Sequence, residues 1–529
     1  MTPGGSQTWF GRAAVALLLL WTSGAAGLRM SPRLHGSGAT GLRLPSTSLH
    51  AEGGATSALP ASLHEPVCII GAGPSGLATA IMLARRGYKQ VRVFERLSEP
   101  LPPDSPEWVD FTRERSYNIG LSGRGQKALR EIAVMPAVEK FCADVIGRKD
   151  WSPESKEDAP QERVYTTKSY TTKVIQRDRL AAALLSELRS NPEYAEAVTV
   201  KFNTQCQRVD LTRDSAFVHL TDKASVGELV LESKFVIGAD GTASALRDAM
   251  EAASGPNKLT VTRYEDKNVR VYRTIPLHFP PGDTKTWNSK LNFSARTKSD
   301  INLDALPTLN GPMLAVVLYR PWDTRVTGLK GKEDAKAFFQ STLPMFSSVL
   351  RDDDLERFAK KECSKLPRFS FTGPRLHHGN TACLLGDAIH TVKPYFGLGV
   401  NSAFEDVLAL DAALGKHSDD VPKALKDYSR TRAAEARAMV QISHRLDGGF
   451  LSFVLPLLVD NFFHAKLPQV FAPNMLAILQ NEKLSFSFIQ FRKRLDRVMQ
   501  VSVVGALAVA ATKTAGLVFR LGRRLVLAA

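Results

Sequence analysis

A glycine pattern between two short regular segments constrains the fold of this chain more than any other feature. Val67–Gly71 is apolar and predicts a strand, and Leu77–Arg86 predicts a helix. Between them lies the run Gly71-Ala72-Gly73-Pro74-Ser75-Gly76. The first glycine permits a tight turn, the second lets the backbone approach a pyrophosphate, and the third lets helix and strand pack closely. The segment therefore predicts a phosphate-binding turn at a helix N-terminus, where anions are favoured.

An acidic residue completes this pattern. A second predicted strand, Val91–Phe94, ends at Glu95, nineteen residues beyond Gly76. At that position a carboxylate accepts hydrogen bonds from both hydroxyls of an adenosine ribose. Strand, glycines, helix, strand and acid thus occur in the order of the dinucleotide-binding fingerprint. Since Glu95 favours an unmodified ribose, the expected nucleotide is FAD or NAD and not NADP.

Two later motifs decide between these nucleotides. Phe235–Ile237 predicts a strand that runs into Gly238-Ala239-Asp240-Gly241. Ala382–Leu385 predicts another, and it is followed by Gly386-Asp387 and then by Pro394, Gly397, Gly399, Val400 and Asn401. These segments resemble the two distal motifs of the group A flavoprotein monooxygenases. The resemblance implies that FAD is the cofactor, that Asp387 holds its ribityl chain, and that the glycine loop lies against the flavin ring.

The glycine loop suits a reduced flavin, which carries negative charge. Gly397 and Gly399 let Val400 and Asn401 present backbone N–H groups to the ring, and a helix is expected to start after Asn401. Such donors and a helix N-terminus stabilise an anion. His390 is expected to be packed or hydrogen-bonded beside this loop, and no catalytic side chain is assigned because the flavin carries the chemistry.

A longer resemblance points to one family. The run Arg115-Ser116-Tyr117-Asn118-Ile119-Gly120-Leu121-Ser122-Gly123-Arg124-Gly125 closely resembles a motif of the kynurenine 3-monooxygenase family. The resemblance continues through Gln176-Arg177-Asp178-Arg179-Leu180 and Phe471-Ala472-Pro473, and it extends from residue 65 to about residue 520. It implies that Gly120 and Arg177 contact FAD.

The resemblance also implies substrate contacts. Arg148 and Tyr165 match an arginine and a tyrosine that hold the kynurenine carboxylate, and a guanidinium with a phenol suits such a clamp. The alternative is a solvated arginine and a half-buried strand tyrosine. The chain departs from the family at Leu446 and Met475, where the family has an asparagine and a tyrosine. Replacement of two hydrogen-bonding groups by apolar ones should weaken recognition of the polar side chain of kynurenine.

The family implies an α/β architecture, the three-layer FAD-binding fold of the para-hydroxybenzoate hydroxylase type. We expect FAD-binding segments at 62–255 and 350–440, a β-sheet substrate domain at 256–349, and a helical C-terminal region at 441–497. NADPH would reduce FAD, and O2 would supply the oxygen atom added to a small aromatic substrate. The alternatives are a flavin-dependent epoxidase or reductase acting on a lipid or isoprenoid, and a non-catalytic flavin-fold binding protein.

The two ends of the chain have targeting character. Residues 1–27 predict a signal peptide, and residues 28–61 have the composition of a transit peptide, a combination that resembles the bipartite leader of proteins sent to a complex plastid. A secretory signal with a linker, which leads to the endomembrane pathway, is the alternative. Residues 498–529, which are apolar over most of Val498–Phe519, predict a membrane-associated tail, provided that Lys513 reaches the interface. The alternative is an ordinary buried amphipathic helix.

The charge distribution excludes one class of partner. The formal net charge is +16, but residues 1–51 contribute +4 and residues 492–529 contribute +7, which leaves +5 for the body. A nucleic-acid-binding protein would need a basic stripe in the body, so no nucleic-acid partner is expected. The five cysteines have no metal-like spacing, and no metal site is expected.

Overall fold

The computed structural model describes residues 61–109, 117–152, 160–166, 168–223, 227–253, 259–448 and 450–528. The predicted signal peptide, nearly all of the predicted transit-like segment, and Arg115 and Ser116 of the family motif lie outside these residues. All described residues belong to one compact unit, which spans Leu59–Ala529.

The strands of the described residues form five sheets. In chain order they are β1 Val67–Ile70, β2 Val91–Phe94, β3 Asn118–Leu121, β4 Ala143–Val145, β5 Gly147–Trp151, β6 Gln161–Val164, β7 Thr172–Gln176, β8 Val198–Lys201, β9 Thr204–Leu211, β10 Ala216–Asp222, β11 Glu228–Ser233, β12 Phe235–Gly238, β13 Thr260–Arg263, β14 Val271–Leu277, β15 Leu291–Arg296, β16 Asn302–Thr308, β17 Gly311–Tyr319, β18 Ser364–Lys365, β19 Ser370–Gly373, β20 His377–His378, β21 Ala382–Leu384 and β22 His390–Thr391.

The helices alternate with these strands in the first part of the chain and follow them in the last. They are α1 Pro74–Arg85, α2 Gly123–Glu131, α3 Met135–Glu139, α4 Arg177–Ser190, α5 Pro192–Ala197, α6 Ala245–Ala252, α7 Thr324–Thr327, α8 Lys332–Thr342, α9 Asp352–Lys360, α10 Leu398–Lys416, α11 Val421–Leu446, α12 Leu455–Lys466, α13 Met475–Leu479 and α14 Phe486–Ala528.

The central sheet brings the three predicted motifs together. Its strand order is β20-β21-β12-β1-β2-β8, and all neighbours except β20 and β21 pair in parallel. Every residue of β1 and β12 is buried, as expected for strands covered by helices on both faces. Because the carboxyl ends of parallel strands meet at one edge, the glycine turn, Glu95, Asp240 and Asp387 follow neighbouring strands at that edge.

A second, seven-stranded sheet lies beside the first. Its order is β18-β14-β17-β16-β15-β5-β6, and all pairs are antiparallel except β15 with β5. Helices α8 and α9 close a separate hydrophobic core around Trp151, Phe293 and Phe346. The sheet takes β5, β6 and β18 from outside residues 256–349. The domain boundaries therefore stay a prediction, whereas the α/β fold with a β-sheet insert and a helical C-terminal region is confirmed.

Hydrogen bonds of one side chain join the second sheet to the FAD-binding part. The side-chain amide of Asn118, on β3, donates to the carbonyl oxygens of Leu306 and Pro307 at 3.1 and 2.9 Å. It also donates to the hydroxyl of Thr308 at 2.9 Å. Since these three residues belong to β16, these hydrogen bonds fix the seven-stranded sheet against the strand that carries Gly120.

The last helix, α14, changes its environment along its length. Its first turns are held by Lys493, which is 5% exposed and binds Asp460 of α12 and Asp496 at 3.0 and 2.9 Å. From Val501 onwards every residue with a described side chain is exposed. The stretch Phe486–Val518 has a mean hydropathy of 1.7, so α14 is by length and composition able to cross a membrane.

Candidate active site

The glycine turn after β1 leaves space on one side only. A Cβ on Gly71 would lie 2.4 Å from the Ala239 carbonyl oxygen, and one on Gly76 would lie 1.9 Å from the Gly71 carbonyl oxygen. Protein packing therefore requires both glycines. A Cβ on Gly73 would meet no described atom within 4 Å. Gly73 is the N-cap of α1, so the open space lies where unpaired N–H groups would face a phosphate.

Glu95 is fixed beside this turn. One carboxylate oxygen accepts the Ala72 N–H at 2.9 Å, and the other accepts the Leu97 N–H at 2.9 Å. Each oxygen keeps a second lone pair for a further donor. The carboxylate is thus held in a fixed orientation at the edge of the turn. The contact with a ribose that the sequence predicts for Glu95 requires such an orientation.

Asp240 has one oxygen that lacks a donor. Its Oδ2 accepts the Ala245 N–H at 2.7 Å at the start of α6. Its Oδ1 is buried and meets no hydrogen-bond partner among the described residues. Desolvation raises the pKa of Asp240 above its ordinary value. Since a buried acceptor without a donor is costly, a ligand hydroxyl or a bound water at this place would stabilise the structure.

Asp387 opens into the same cleft. It follows β21 in a turn in which Gly386 has φ +62°, and a Cβ on Gly386 would lie 3.1 Å from the Ser75 hydroxyl. The Asp387 side chain is accessible to solvent, yet the surrounding protein desolvates it and raises its pKa. The Gly386-Asp387 turn and the first glycine turn therefore form adjoining walls of one cleft.

Arg177 faces these carboxylates from α4. Burial opposes its charge, but the field of Tyr117, Asp178, Asp387 and Glu95 outweighs burial and raises its pKa. Its guanidinium donates to Asp178 at 2.9 Å, and 43% of the side chain is exposed. A cation in this position is suited to bind an anionic group of a nucleotide cofactor.

The loop before α10 supplies the remaining donors. Pro394 begins a short turn, and Gly397 takes the left-handed conformation with φ +59° as the N-cap of α10. The N–H groups of Leu398, Gly399 and Val400 in the first turn have no acceptor within the helix. A Cβ on Gly399 would lie 4.0 Å from Asp387 Oδ1, so these donors adjoin the cleft.

Asn401 lies inside a helix that begins earlier than the sequence predicted. The helix was expected to start after it, but α10 begins at Leu398 because the left-handed Gly397 already ends the preceding turn. The buried Asn401 side chain donates to the Gly120 and Gly397 carbonyl oxygens at 2.9 and 2.6 Å and accepts the Ser122 N–H at 2.9 Å. It therefore positions Gly120 against the glycine loop, a role that its backbone N–H alone could not perform.

Arg148 and Tyr165 lie together on the second sheet. The Tyr165 N–H donates to the Ile146 carbonyl oxygen at 2.8 Å, which places the phenol diagonally across from Arg148 on one face. The Arg148 guanidinium already binds Asp150 at 2.6 and 2.8 Å. Tyr165 borders a cavity of about 200 Å³, which is also lined by Lys168 and Tyr170. Leu446 is buried, and Met475 is partly buried against the main hydrophobic core.

Comparison with known proteins identifies the family. A family model described as an FAD binding domain matches residues 64–443. The chain belongs to the FAD-dependent aromatic monooxygenases. Kynurenine 3-monooxygenase of Dictyostelium discoideum is 26% identical over 448 residues, 80% of this chain and 89% of the relative. Violacein synthase of Chromobacterium violaceum is 25% identical over 440 residues, 82% and 96% of the two chains.

A solved structure supports the same fold. PqsL of P. aeruginosa in complex with 2-aminobenzoylacetate superposes with a TM-score of 0.54 at 20% identity, covering 73% of this chain and 96% of that one. FAD fits the monooxygenase cleft, because the open space at Gly73 and the unpaired Asp240 oxygen suit a phosphate and a hydroxyl. FAD would supply the redox chemistry, and Glu95, Arg177 and Asp387 are the residues that we expect to hold and orient it.

Two buried networks of the monooxygenase were not predicted. Asp406 accepts from Gly386 N–H at 2.8 Å and pairs with His390 at 2.7 Å and Arg432 at 2.5 Å. Burial opposes its ionisation, but His390 and Arg432 outweigh burial and lower its pKa. The network thus supports the turn that carries Asp387. His390 is hydrogen-bonded beside the loop, as expected.

The second network lies directly before the glycine loop. The fully buried ammonium of Lys393 donates at 2.8 Å to each of Asp266, Asp447 and the Asn268 carbonyl oxygen. Lys393 therefore joins the segment before β14 of the seven-stranded sheet, the glycine loop and the end of α11. The sequence shows a lysine next to Pro394, but it does not show the partners of that lysine, because they lie 54 to 127 residues away.

We expect Gly73→Val to separate FAD binding from folding. Because a Cβ at Gly73 meets no described atom within 4 Å, the variant should keep the wild-type urea unfolding midpoint of the FAD-free protein. The added side chain would occupy the phosphate space, so the FAD content of the purified protein should fall to near zero. Flavin absorbance per mole of protein measures this loss, and Gly505→Val, in the exposed part of α14, is the matched control. A Gly73→Val protein with wild-type FAD content would refute the assignment.

Proposed function

We propose that this monooxygenase uses NADPH and O2 to hydroxylate an aromatic substrate that carries a carboxylate, in a reaction of the L-kynurenine to 3-hydroxykynurenine type. The observation that carries the proposal is a small polar cavity bordered by Tyr165, with Arg148 diagonally across from Tyr165 on the same face of the sheet. The similarity to kynurenine 3-monooxygenase over 80% of the chain supports it. NADPH is proposed as the source of electrons for FAD, and O2 as the source of the oxygen atom.

The cavity adjoins the proposed flavin position. Thr171 lines the cavity, and the next residue, Thr172, has its methyl group 3.3 Å from where a Cβ on Gly120 would lie. Gly120 in turn accepts from Asn401 of the glycine loop at 2.9 Å. On this proposal, a substrate whose carboxylate lies in the cavity would have its ring on the side of the flavin. The protein's contribution is to bind, orient and exclude water.

Turnover with a panel of substrates tests the proposal. Purified FAD-loaded protein is given NADPH in air with L-kynurenine, anthranilate, tryptophan and two isoprenoids, and both NADPH loss and products are measured. We expect hydroxylated product from L-kynurenine or another aromatic carboxylate, in proportion to NADPH consumed. Product from an isoprenoid alone would overturn the carboxylate assignment and leave the flavin assignment intact.

One alternative rests on specific residues. Leu446 and Met475 replace two polar family residues by apolar ones, and α14 carries a long exposed apolar stretch. These features favour an epoxidase or reductase that acts on a lipid or isoprenoid at a membrane. The same panel separates the two enzymes. A non-catalytic flavin-fold protein would be colourless after purification and would consume no NADPH.

We also propose that the enzyme is associated with a membrane in an organelle reached through the N-terminal leader. The exposed apolar part of α14 favours a bilayer, and Arg520 begins a basic end. Removal of 498–529 should move the protein from the membrane to the soluble fraction, because it deletes most of this apolar surface. Flavin content should stay at wild type, since the FAD residues lie elsewhere. A truncated protein that stays in the membrane fraction would show that the anchor is elsewhere.

A further inference from the structure

We infer that Lys168, rather than Arg148, supplies the positive charge that receives the carboxylate of the substrate. The inference rests on the proposed function and assigns one step of it, the recognition of an anionic group, to a residue outside the predicted site. It identifies the substrate class as an aromatic compound with a free carboxylate.

The position of Lys168 suits this role. Its ammonium group lies 3.8 Å from the ring centre of Tyr165 and 5.6 Å from that of Tyr170, which hold it at the cavity by cation–π contact. Ser169 and Thr171 place two hydroxyl-bearing residues in the same cavity. An anion in the cavity would therefore meet an ammonium group at one wall and polar side chains at the others.

The two candidate cations, Arg148 and Lys168, differ in whether a carboxylate of the protein already neutralises them. Arg148 is neutralised by Asp150, whose carboxylate lies 2.6 Å from the guanidinium. Lys168 has no carboxylate within salt-bridge distance among the residues that the structure describes, and Arg148 is a like charge that acts on it. The carboxylate of Glu482 accepts a hydrogen bond at 3.4 Å from the hydroxyl of Ser169, a residue that lines the cavity. A half-buried cation beside a second cation is stabilised by an incoming anion.

Titration of Lys168 gives the site a pH signature. Desolvation and then the charge of Arg148 lower the pKa of Lys168 to about 8. The charged form, which binds a carboxylate, is present below that pH and is lost above it. The facing phenols of Tyr165 and Tyr170 have raised pKa values, as does Arg148, so none of the three changes charge near pH 8. Affinity for a carboxylate should therefore decline above about pH 8.

Two substitutions and a pair of ligands test the inference. Lys168→Met should raise the KM for L-kynurenine by at least about tenfold while FAD stays bound, because a charge-assisted contact is lost. Kynuramine, which lacks the carboxylate, should show no such change. Lys168→Arg should keep the affinity and remove the decline above pH 8, since a guanidinium stays charged. Lys89→Met removes the charge of an exposed lysine that does not line the cavity, and this control variant should keep the wild-type KM. Arg148→Met is less informative, because it also strips Asp150 of its partner.

Benzoate separates this inference from the proposed function. Its binding to the oxidised flavoprotein is measured from the change in flavin absorption, without turnover. If L-kynurenine is hydroxylated and Lys168→Met leaves its KM unchanged, the inference is wrong and the function stands. If L-kynurenine is not a substrate but benzoate binding is lost in Lys168→Met, the function is wrong and the anion site stands. Failure of both carboxylates to bind the wild type, or an alkaline decline that persists in Lys168→Arg, overturns the inference.

Discussion

Replacement of Asp387 by alanine is expected to yield a colourless protein that retains no FAD through purification. Asp387 follows β21 with its side chain open to the cleft, and a Cβ added at Gly399 would lie 4.0 Å from its Oδ1. If Asp387 accepts two hydrogen bonds from the ribityl chain, each worth about 1.5–3 kcal/mol, their loss corresponds to at least about a hundredfold weaker binding. The ratio of flavin to protein absorbance measures the outcome.

A matched pair makes the Asp387 result specific. Asp353 lies exposed in the first turn of α9, so Asp353→Ala changes the same charge away from the cleft and should keep wild-type FAD. Asp387→Asn keeps one acceptor oxygen and should fall between the two. Wild-type FAD content in Asp387→Ala would show that this aspartate does not hold the cofactor.

The largest loss of stability is expected from Arg432→Met. Arg432 is 5% exposed and forms a 2.5 Å contact with the fully buried Asp406, together with bonds to the Ser402 carbonyl oxygen and hydroxyl at 2.9 and 2.6 Å. Removal of one partner leaves an uncompensated buried charge, which costs about 3–5 kcal/mol. The urea midpoint should fall accordingly, and FAD content should fall with it because Asp406 supports the Gly386 turn.

The same helix offers the control for Arg432. Arg430 has a side chain that is 74% exposed and pairs with Asp427, so Arg430→Met should cost at most about 1 kcal/mol. The double variant Arg432→Met, Asp406→Asn should recover part of the stability, since it removes the unpaired charge. Equal urea midpoints for Arg430→Met and Arg432→Met would show that the buried network is not what supports this part of the fold.

The sequence predicted the strands and turns that line the cleft, for a local reason. Each of the three acids, Glu95, Asp240 and Asp387, follows the end of a predicted strand within a few residues, and parallel strands place their carboxyl ends at one edge. The networks around Lys393 and Asp406 escaped prediction because their partners come from distant segments. The participation of β5 in the second sheet, by parallel pairing with β15, has no local signal either. The Arg148–Asp150 pair did have one, since residues two apart on a strand share a face.

The central claim, that this chain is an FAD-dependent monooxygenase, is tested most directly by isotope labelling. FAD-loaded protein is supplied with NADPH, an aromatic carboxylate such as L-kynurenine, and ¹⁸O2 in unlabelled water, and the product is analysed by mass spectrometry. We expect a product that carries one ¹⁸O atom and whose formation depends on NADPH. Substrate conversion with no ¹⁸O in the product, or with oxygen taken from water, would contradict it.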